Sequence, residues 1–177
     1  MSSFFRKLSF LSVLGLSTAA HSADVKIGDS APLFKLKNHE GVLFDLADRK
    51  GKWTILFFYP KAETPGCTKQ ACAFRDSVNK IREQDADVFG ISADTVEDQA
   101  QFHKHHHLNF ALLADDKMDA IQAYGTKMPV LKMSKRWTFI IDPELKIRAI
   151  DKDVDPVKDA EKVAQMIKEL KSEKSKN

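Results

Sequence analysis

The chain has 177 residues, a length typical of one domain. Its composition is 43% apolar and 30% charged, with only 7 glycines and 6 prolines, which excludes collagen-like, low-complexity and polytopic membrane proteins. The formal net charge of +3 is too small to indicate a nucleic-acid-binding surface. Two cysteines are too few for a disulfide scaffold, so we expect them to take part in chemistry.

Residues 1–22 have the layout of a secretory signal peptide. Arg6 and Lys7 precede an uncharged apolar run over 8–20, and Ala20-His21-Ser22 resembles a signal-peptidase site. The apolar run is shorter than the ~20 residues that a membrane-spanning helix needs, although an uncleaved anchor is the alternative. We expect cleavage after Ser22, or else after Ala23, and an exported, periplasmic protein. Removal of 1–22 lowers the net charge from +3 to +1.

Residues 23–177 are predicted to form a single α/β domain. Two short alternating runs on either side of Gly41 predict a hairpin, and the run from Trp53 to Tyr59 is typical of a strand buried on both faces. Buried strands alternating with helices then define the class. The other predicted strands are 87–92, 110–113, 137–142 and 146–151, and the predicted helices are 68–83, 96–104, 117–124 and one that begins with Asp155-Pro156 as N-cap and first helical residue.

Cys67 lies where a buried strand has ended and a helix begins. The strand stops at Pro60, and a short loop leads to Cys67 in the first helical turn. Unpaired N–H groups and the positive end of the helix dipole favour a thiolate at such a position. Pro65 and Gly66 let the backbone approach closely with its N–H groups. Cys67 shares the apolar stripe of Ala71, so we expect its sulfur in a pocket on the core side.

Cys72 follows Cys67 by five residues, and this spacing restricts what the pair can do. In an ideal helix the two Cα atoms are roughly 8.6 Å apart. A disulfide needs about 4.4–6.8 Å. The pair can therefore bridge only if the first turns of the helix unwind, which favours a transient disulfide over a permanent one. The spacing also differs from C-x-x-C, and the chain has no second cysteine pair for a zinc site.

Pro60, Thr64 and Cys67 form the pattern P-x-x-x-T-x-x-C, which resembles the peroxiredoxin active-site motif. The segment TPGCT, the second cysteine and the FRD that follows are similar to the bacterioferritin comigratory protein (PrxQ) subfamily. The segments GDSAP, GKWTILFFYPK, GIS-x-D and R-x-T-F-I-I-D extend this resemblance over nearly all of 23–177. It implies the thioredoxin-like peroxiredoxin fold, a central mixed sheet flanked by helices with an N-terminal hairpin added.

The resemblance implies a thiol peroxidase that reduces hydrogen peroxide and organic hydroperoxides. Cys67 would attack the peroxide as a thiolate and become a sulfenic acid, which Cys72 would resolve as an intramolecular disulfide. A thioredoxin-like dithiol would then reduce that disulfide. The remaining site residues implied are Thr64, Gly66 and Arg136 for peroxide binding, with Arg136 against the thiolate, and Pro60 for shielding the sulfenic acid.

The resemblance also bears on the oligomeric state, the cofactors and the cation of the site. It implies a monomer that needs no metal or organic cofactor. The small net charge predicts no nucleic-acid binding, and we expect no membrane association after signal cleavage. Arg75, eight residues after Cys67, is the alternative to Arg136 as the cation. The segment 128–134 is shorter and more basic than is usual in the family, which leaves the preferred peroxide open.

Histidines cluster near the end of the predicted second helix, at His103, His105, His106 and His107. His103 and His107 have the i, i+4 spacing that brings two imidazoles to one helix face, where zinc, copper or nickel could bind. We expect a solvated helix end and no metal site. Two alternatives to a peroxidase stay open: a thiol–disulfide exchange protein, and a non-enzymatic secreted protein with a structural disulfide or a histidine metal site.

Overall fold

Seven strands form one mixed sheet in the order β2-β1-β5-β4-β3-β6-β7. The computed structural model describes residues 25–174, and the expected signal peptide at 1–22 lies outside this range. Strand β3 pairs parallel with β4 and antiparallel with β6. The strands are β1 (Lys35–Asn38), β2 (Leu43–Asp45), β3 (Trp53–Phe58), β4 (Ala86–Ser92), β5 (Ala111–Ala114), β6 (Trp137–Ile141) and β7 (Ile147–Asp151).

Helices cover both faces of the sheet and define two cores. Ile55 and Phe57 of β3 belong to the core beneath the first and last helices, whereas Leu56 and Phe58 belong to the core on the opposite face. This explains why β3 is apolar at every position, as the sequence predicted. The helices are α1 (Pro65–Arg82), α2 (Val96–His105), α3 (Asp119–Ala123) and α4 (Asp159–Lys174).

The predicted hairpin and fold class are confirmed. β1 and β2 pair antiparallel around Gly41, whose φ of +80° suits glycine. Helix α1 begins at Pro65, three residues before the predicted start, because proline is well accommodated in the first turn and Thr64 takes the N-cap position. No helix among residues 25–174 is long and apolar enough to cross a membrane.

The predicted start of the last helix at Asp155-Pro156 is wrong. The Asp155 carboxylate accepts a hydrogen bond from the Val157 N–H (2.9 Å), and its carbonyl accepts one from the Asp159 N–H (3.0 Å). Asp155 therefore makes the hydrogen bonds of an N-cap, but the turn that it caps, over 156–158, precedes the regular helix. The regular helix begins at Asp159, whose side chain is buried in the protein interior.

Candidate active site

Sheet pairing brings the predicted site residues together. Phe58 at the end of β3 is paired with Trp137 at the beginning of β6. The loop that leaves β3 toward Cys67 therefore lies beside Arg136, the residue that enters β6. Residues far apart in the chain therefore meet where β3 ends and β6 begins, next to the N-terminus of α1.

Cys67 is the third residue of α1 and is almost completely buried, with 1% of its surface exposed. Its thiol is free, as is that of Cys72. The N–H groups of Gly66 and Cys67 belong to the first helical turn and have no acceptor within the helix. These donors and the positive end of the helix dipole favour negative charge on the sulfur.

Arg136 supplies the cation at this site. Its Nη2 lies 3.4 Å from Cys67 Sγ, and its Nη1 donates a hydrogen bond of 2.6 Å to Gln70 Oε1. A Cβ added at Gly66 would lie 3.2 Å from Arg136 Nη2, so the absence of a side chain there lets the guanidinium come close. Arg75 is instead paired with Asp76 (2.8 Å) and donates to the carbonyl of another residue, His106.

A buried hydrogen-bond chain continues from Arg136 through Gln70 to Asp159. Gln70 Nε2 donates to Asp159 Oδ2 (2.6 Å), and Thr138 Oγ1 donates to the same oxygen (2.8 Å). Among the described residues, none donates to the buried Asp159 Oδ1. Burial raises the pKa of Asp159 to about 6, and the hydrogen bonds from Gln70 and Thr138 only partly oppose this effect. Asp159 thus fixes the Gln70 amide with its oxygen toward Arg136.

Three residues of this chain were not predicted as site residues from the sequence, namely Gln70, Thr138 and Asp159. Gln70 carried a usable signal, because a residue three positions after Cys67 lies on the same helix face. Thr138 carried a weaker one, because it lies in the predicted strand two residues after Arg136, and residues two apart share a face where the extended backbone continues. Asp159 carried none, since it is 89 residues from Gln70 and reaches it only by tertiary packing.

Polar contacts hold the loop between β3 and α1 from both ends. Asp94 Oδ2 accepts hydrogen bonds from the Ala62 N–H (2.8 Å) and from Ser92 Oγ (2.6 Å). Thr64 occupies the N-cap of α1, but its hydroxyl donates to the Lys61 carbonyl (2.9 Å). A hydroxyl that donates once can still accept, so Thr64 Oγ1 is available to a donor that enters the site. Pro60 lies near the start of this loop, two residues after β3 ends at Phe58.

Cys72 is half-buried in the same helix as Cys67. With both cysteines in α1, their Cα atoms are roughly 8.6 Å apart by helix geometry. A disulfide between them therefore requires the first turns of α1 to unwind, as the sequence spacing indicated.

His103 and His107 do not pair as their i, i+4 spacing suggested, and the clustered histidines make two separate sets of contacts. Helix α2 ends at His105, so His103 and His107 do not share a helix face. His103 stacks on the ring of His39, with centroids 3.7 Å apart. His105 and His106 instead approach the carboxylate of Glu63 in the active-site loop.

Comparison with known proteins identifies the class. Residues 27–150 match the AhpC/TSA family, and the chain belongs to that family. It is 38% identical over 157 residues to peroxiredoxin Bcp of Bacillus subtilis, covering 83% of this chain and 96% of the relative. It is 36% identical over 151 residues to the chloroplastic peroxiredoxin Q of Sedum lineare, covering 84% and 81%.

A solved structure agrees with these relatives. The crystal structure of peroxidoxin BcpB from Mycobacterium tuberculosis matches with a TM-score of 0.77 and 32% identity, covering 82% of this chain and 98% of the other. Within the family the chain is therefore a Bcp/PrxQ-type peroxiredoxin, a thiol peroxidase. The predicted fold, subfamily and enzyme class are confirmed.

Proposed function

We propose that the chain reduces hydrogen peroxide and organic hydroperoxides with Cys67 as the attacking thiolate. The observation that carries the proposal is the 3.4 Å contact between Arg136 Nη2 and the buried Cys67 Sγ at the N-terminus of α1. In the reaction the sulfur bonds to one peroxide oxygen and the O–O bond breaks. The other oxygen leaves and takes a proton, giving water or an alcohol, and Cys67 becomes a sulfenic acid.

The surrounding groups suit this displacement. Arg136 and the free N–H groups of Gly66 and Cys67 are aimed at the place where negative charge moves from sulfur to the leaving oxygen. Thr64 Oγ1 is available to accept a hydrogen bond from the peroxide. Burial of the sulfur limits access of bulk water, and we assign Pro60 a shielding role at the start of the loop.

Cys72 then reacts with the Cys67 sulfenic acid. Its thiol attacks the sulfenic acid, water leaves and the Cys67–Cys72 disulfide forms. The Asp94 contacts to the loop and the first turns of α1 oppose the unwinding that this step needs. An external thioredoxin-like dithiol returns both cysteines to thiols by exchange. The half-buried position of Cys72 supports an accessible disulfide once the turn opens.

Replacing Cys72 with serine tests this division of roles. The C72S protein should react with its first peroxide at the wild-type rate and gain about 16 Da as Cys67 sulfenic acid, then about 32 Da as sulfinic acid in excess peroxide. Mass spectrometry and a sulfenic-acid trap measure these products. A structural disulfide predicts instead a loss of unfolding free energy without any reaction with peroxide. Faster reduction of protein disulfides than of peroxide would favour a thiol–disulfide exchange protein.

We also propose that the protein is exported to the periplasm, cleaved after Ser22 and monomeric. The charged start at Arg6 and Lys7 and the apolar run over 8–20 support export, and the subfamily resemblance supports a monomer. Fractionation of cells that express the full chain, followed by N-terminal sequencing, should find Ala23 first in the periplasmic fraction. Recovery of the uncut chain in the cytoplasm would contradict export, and sedimentation equilibrium tests the monomer.

A further inference from the structure

Glu63 converges with two histidines beside the active-site loop. Its Oε1 lies 3.1 Å from His105 Nδ1, and its Oε2 lies 2.9 Å from His106 Nε2. One ligand atom from each of the three residues lies within 4.8 Å of the others. Two imidazoles and one carboxylate are a ligand set that zinc and related ions use.

Neighbouring contacts position these three side chains. The Glu63 backbone adopts the left-handed conformation (φ +60°), which is uncommon for a residue other than glycine. The His106 ring packs edge-on against Phe102 (centroids 5.0 Å apart), and Arg75 Nη1 donates to the His106 carbonyl (2.8 Å). His106 is therefore held in place before any ligand arrives, while the exposed His105 leaves the cluster open to solvent.

The electrostatics of the cluster favour a cation. His105 is the last residue of α2, where the negative end of the helix dipole lies. The nearby guanidinium of Arg75 is paired with Asp76 and so is partly neutralised.

We propose that Glu63, His105 and His106 bind a divalent first-row transition ion such as Zn²⁺. With metal–ligand bonds of about 2.0–2.2 Å, tetrahedral ligand atoms lie about 3.4 Å apart. The two histidines contact different oxygens of the Glu63 carboxylate, at 3.1 and 2.9 Å. One ligand atom from each residue already lies within 4.8 Å of the others, so side-chain rotations bring three ligand atoms to the spacing that the ion needs. Solvent supplies the remaining coordination position.

Such an ion acts on the catalytic cycle, a consequence that rests on the proposed function. Glu63 directly precedes Thr64 and lies four residues before Cys67. An ion shared with α2 fixes the loop that must move when the first turns of α1 unwind. Occupancy therefore slows disulfide formation and increases over-oxidation of Cys67, while the first reaction with peroxide keeps its rate.

Binding is tested first, in a protein whose thiols cannot compete for the metal. In the Cys67→Ser/Cys72→Ser double variant, titration calorimetry with Zn²⁺ should show one site, and Co²⁺ should give the visible spectrum of a tetrahedral or five-coordinate ion. Adding Glu63→Ala or His105→Ala should weaken binding about tenfold or more. His107→Ala is the matched control, since His107 is exposed outside the cluster, and should leave binding unchanged. No binding, or an equal loss in the His107→Ala protein, overturns the proposal.

The kinetic consequence needs a separate comparison. With Zn²⁺ present, quenched-flow mass spectrometry should show slower disulfide formation in wild type than in the His105→Ala protein. Direct ligation of zinc by the thiols would slow both proteins equally, and that result overturns the regulatory role. The binding titration does not depend on peroxidase activity, so failure of the metal site and failure of the proposed reaction give different results.

Discussion

Replacing Asp159 with asparagine should stabilise the protein at neutral pH and have little effect on its stability in acid. The Asp159 carboxyl is buried at the beginning of α4 and accepts hydrogen bonds from Gln70 and Thr138. Asparagine keeps the shape of the side chain and an oxygen for both donors. It removes the negative charge that burial disfavours.

The magnitude follows from the shift in the pKa of Asp159 from 3.8 to about 6. Below pH 3.8 the carboxyl is protonated in both the folded and the unfolded protein. Between the two pKa values the unfolded chain loses its proton while the folded protein keeps it, so stability falls as the pH rises. A shift of roughly two units corresponds to about 3 kcal/mol of unfolding free energy, reached above about pH 6.

Urea unfolding of both proteins from pH 4 to pH 8 measures the effect. The advantage of D159N should grow from near zero at pH 4 to about 3 kcal/mol at pH 7. Burial also raises the pKa of Asp115 to about 6, so the comparison with wild type is needed to isolate Asp159. The exposed Asp116→Asn variant is the control and should show no such trend. A D159N advantage that is independent of pH would mean that burial does not raise the pKa of Asp159.

Three further substitutions test the packing around the site. Gln70→Leu removes the side chain that Arg136 Nη1 and the Asp159 carboxylate both contact. We expect the unfolding free energy to fall by about 1–3 kcal/mol and kcat/KM for peroxide to fall about tenfold. Gly66→Ala places a Cβ 3.2 Å from Arg136 Nη2, and stopped-flow assays should show a slower first reaction with little change in urea midpoint. Gly90→Ala places a Cβ 2.6 Å from Phe57 Cζ in the core. Urea unfolding should show an unfolding free energy lower by about 1–3 kcal/mol, while the protein keeps its activity. Unchanged stability would contradict that packing.

Local patterns in the sequence were sufficient for the order and approximate position of the strands and helices and for the position of Cys67, although not for the start of α4. The apolar run of β3 and the stripe that includes Cys67 and Ala71 both reflect periods of a few residues. Arg136 followed from the motif resemblance, and antiparallel pairing of β3 with β6 explains why it meets Cys67. Gln70 could have been predicted from helix periodicity, because it lies three residues after Cys67 in the same helix.

Features that depend on distant contacts were not predictable. Asp159 meets Gln70 only because α4 packs beside α1, and the turn at Asp155 that delivers it has the same sequence signature as a helix N-cap. Glu63 meets His105 across 42 positions. The i, i+4 spacing of the histidines misled because α2 ends before that spacing is completed.

The role of Cys67 is tested most directly by the reaction of the reduced protein with one equivalent of hydrogen peroxide, followed by mass spectrometry and by assay of the peroxide that remains. We expect rapid consumption of the peroxide and a loss of about 2 Da as Cys67 and Cys72 form a disulfide. A Cys67→Ser variant should leave the peroxide intact. If the wild-type protein keeps both thiols while the peroxide survives, or if Cys67→Ser consumes peroxide as fast as wild type, Cys67 is not the residue that attacks.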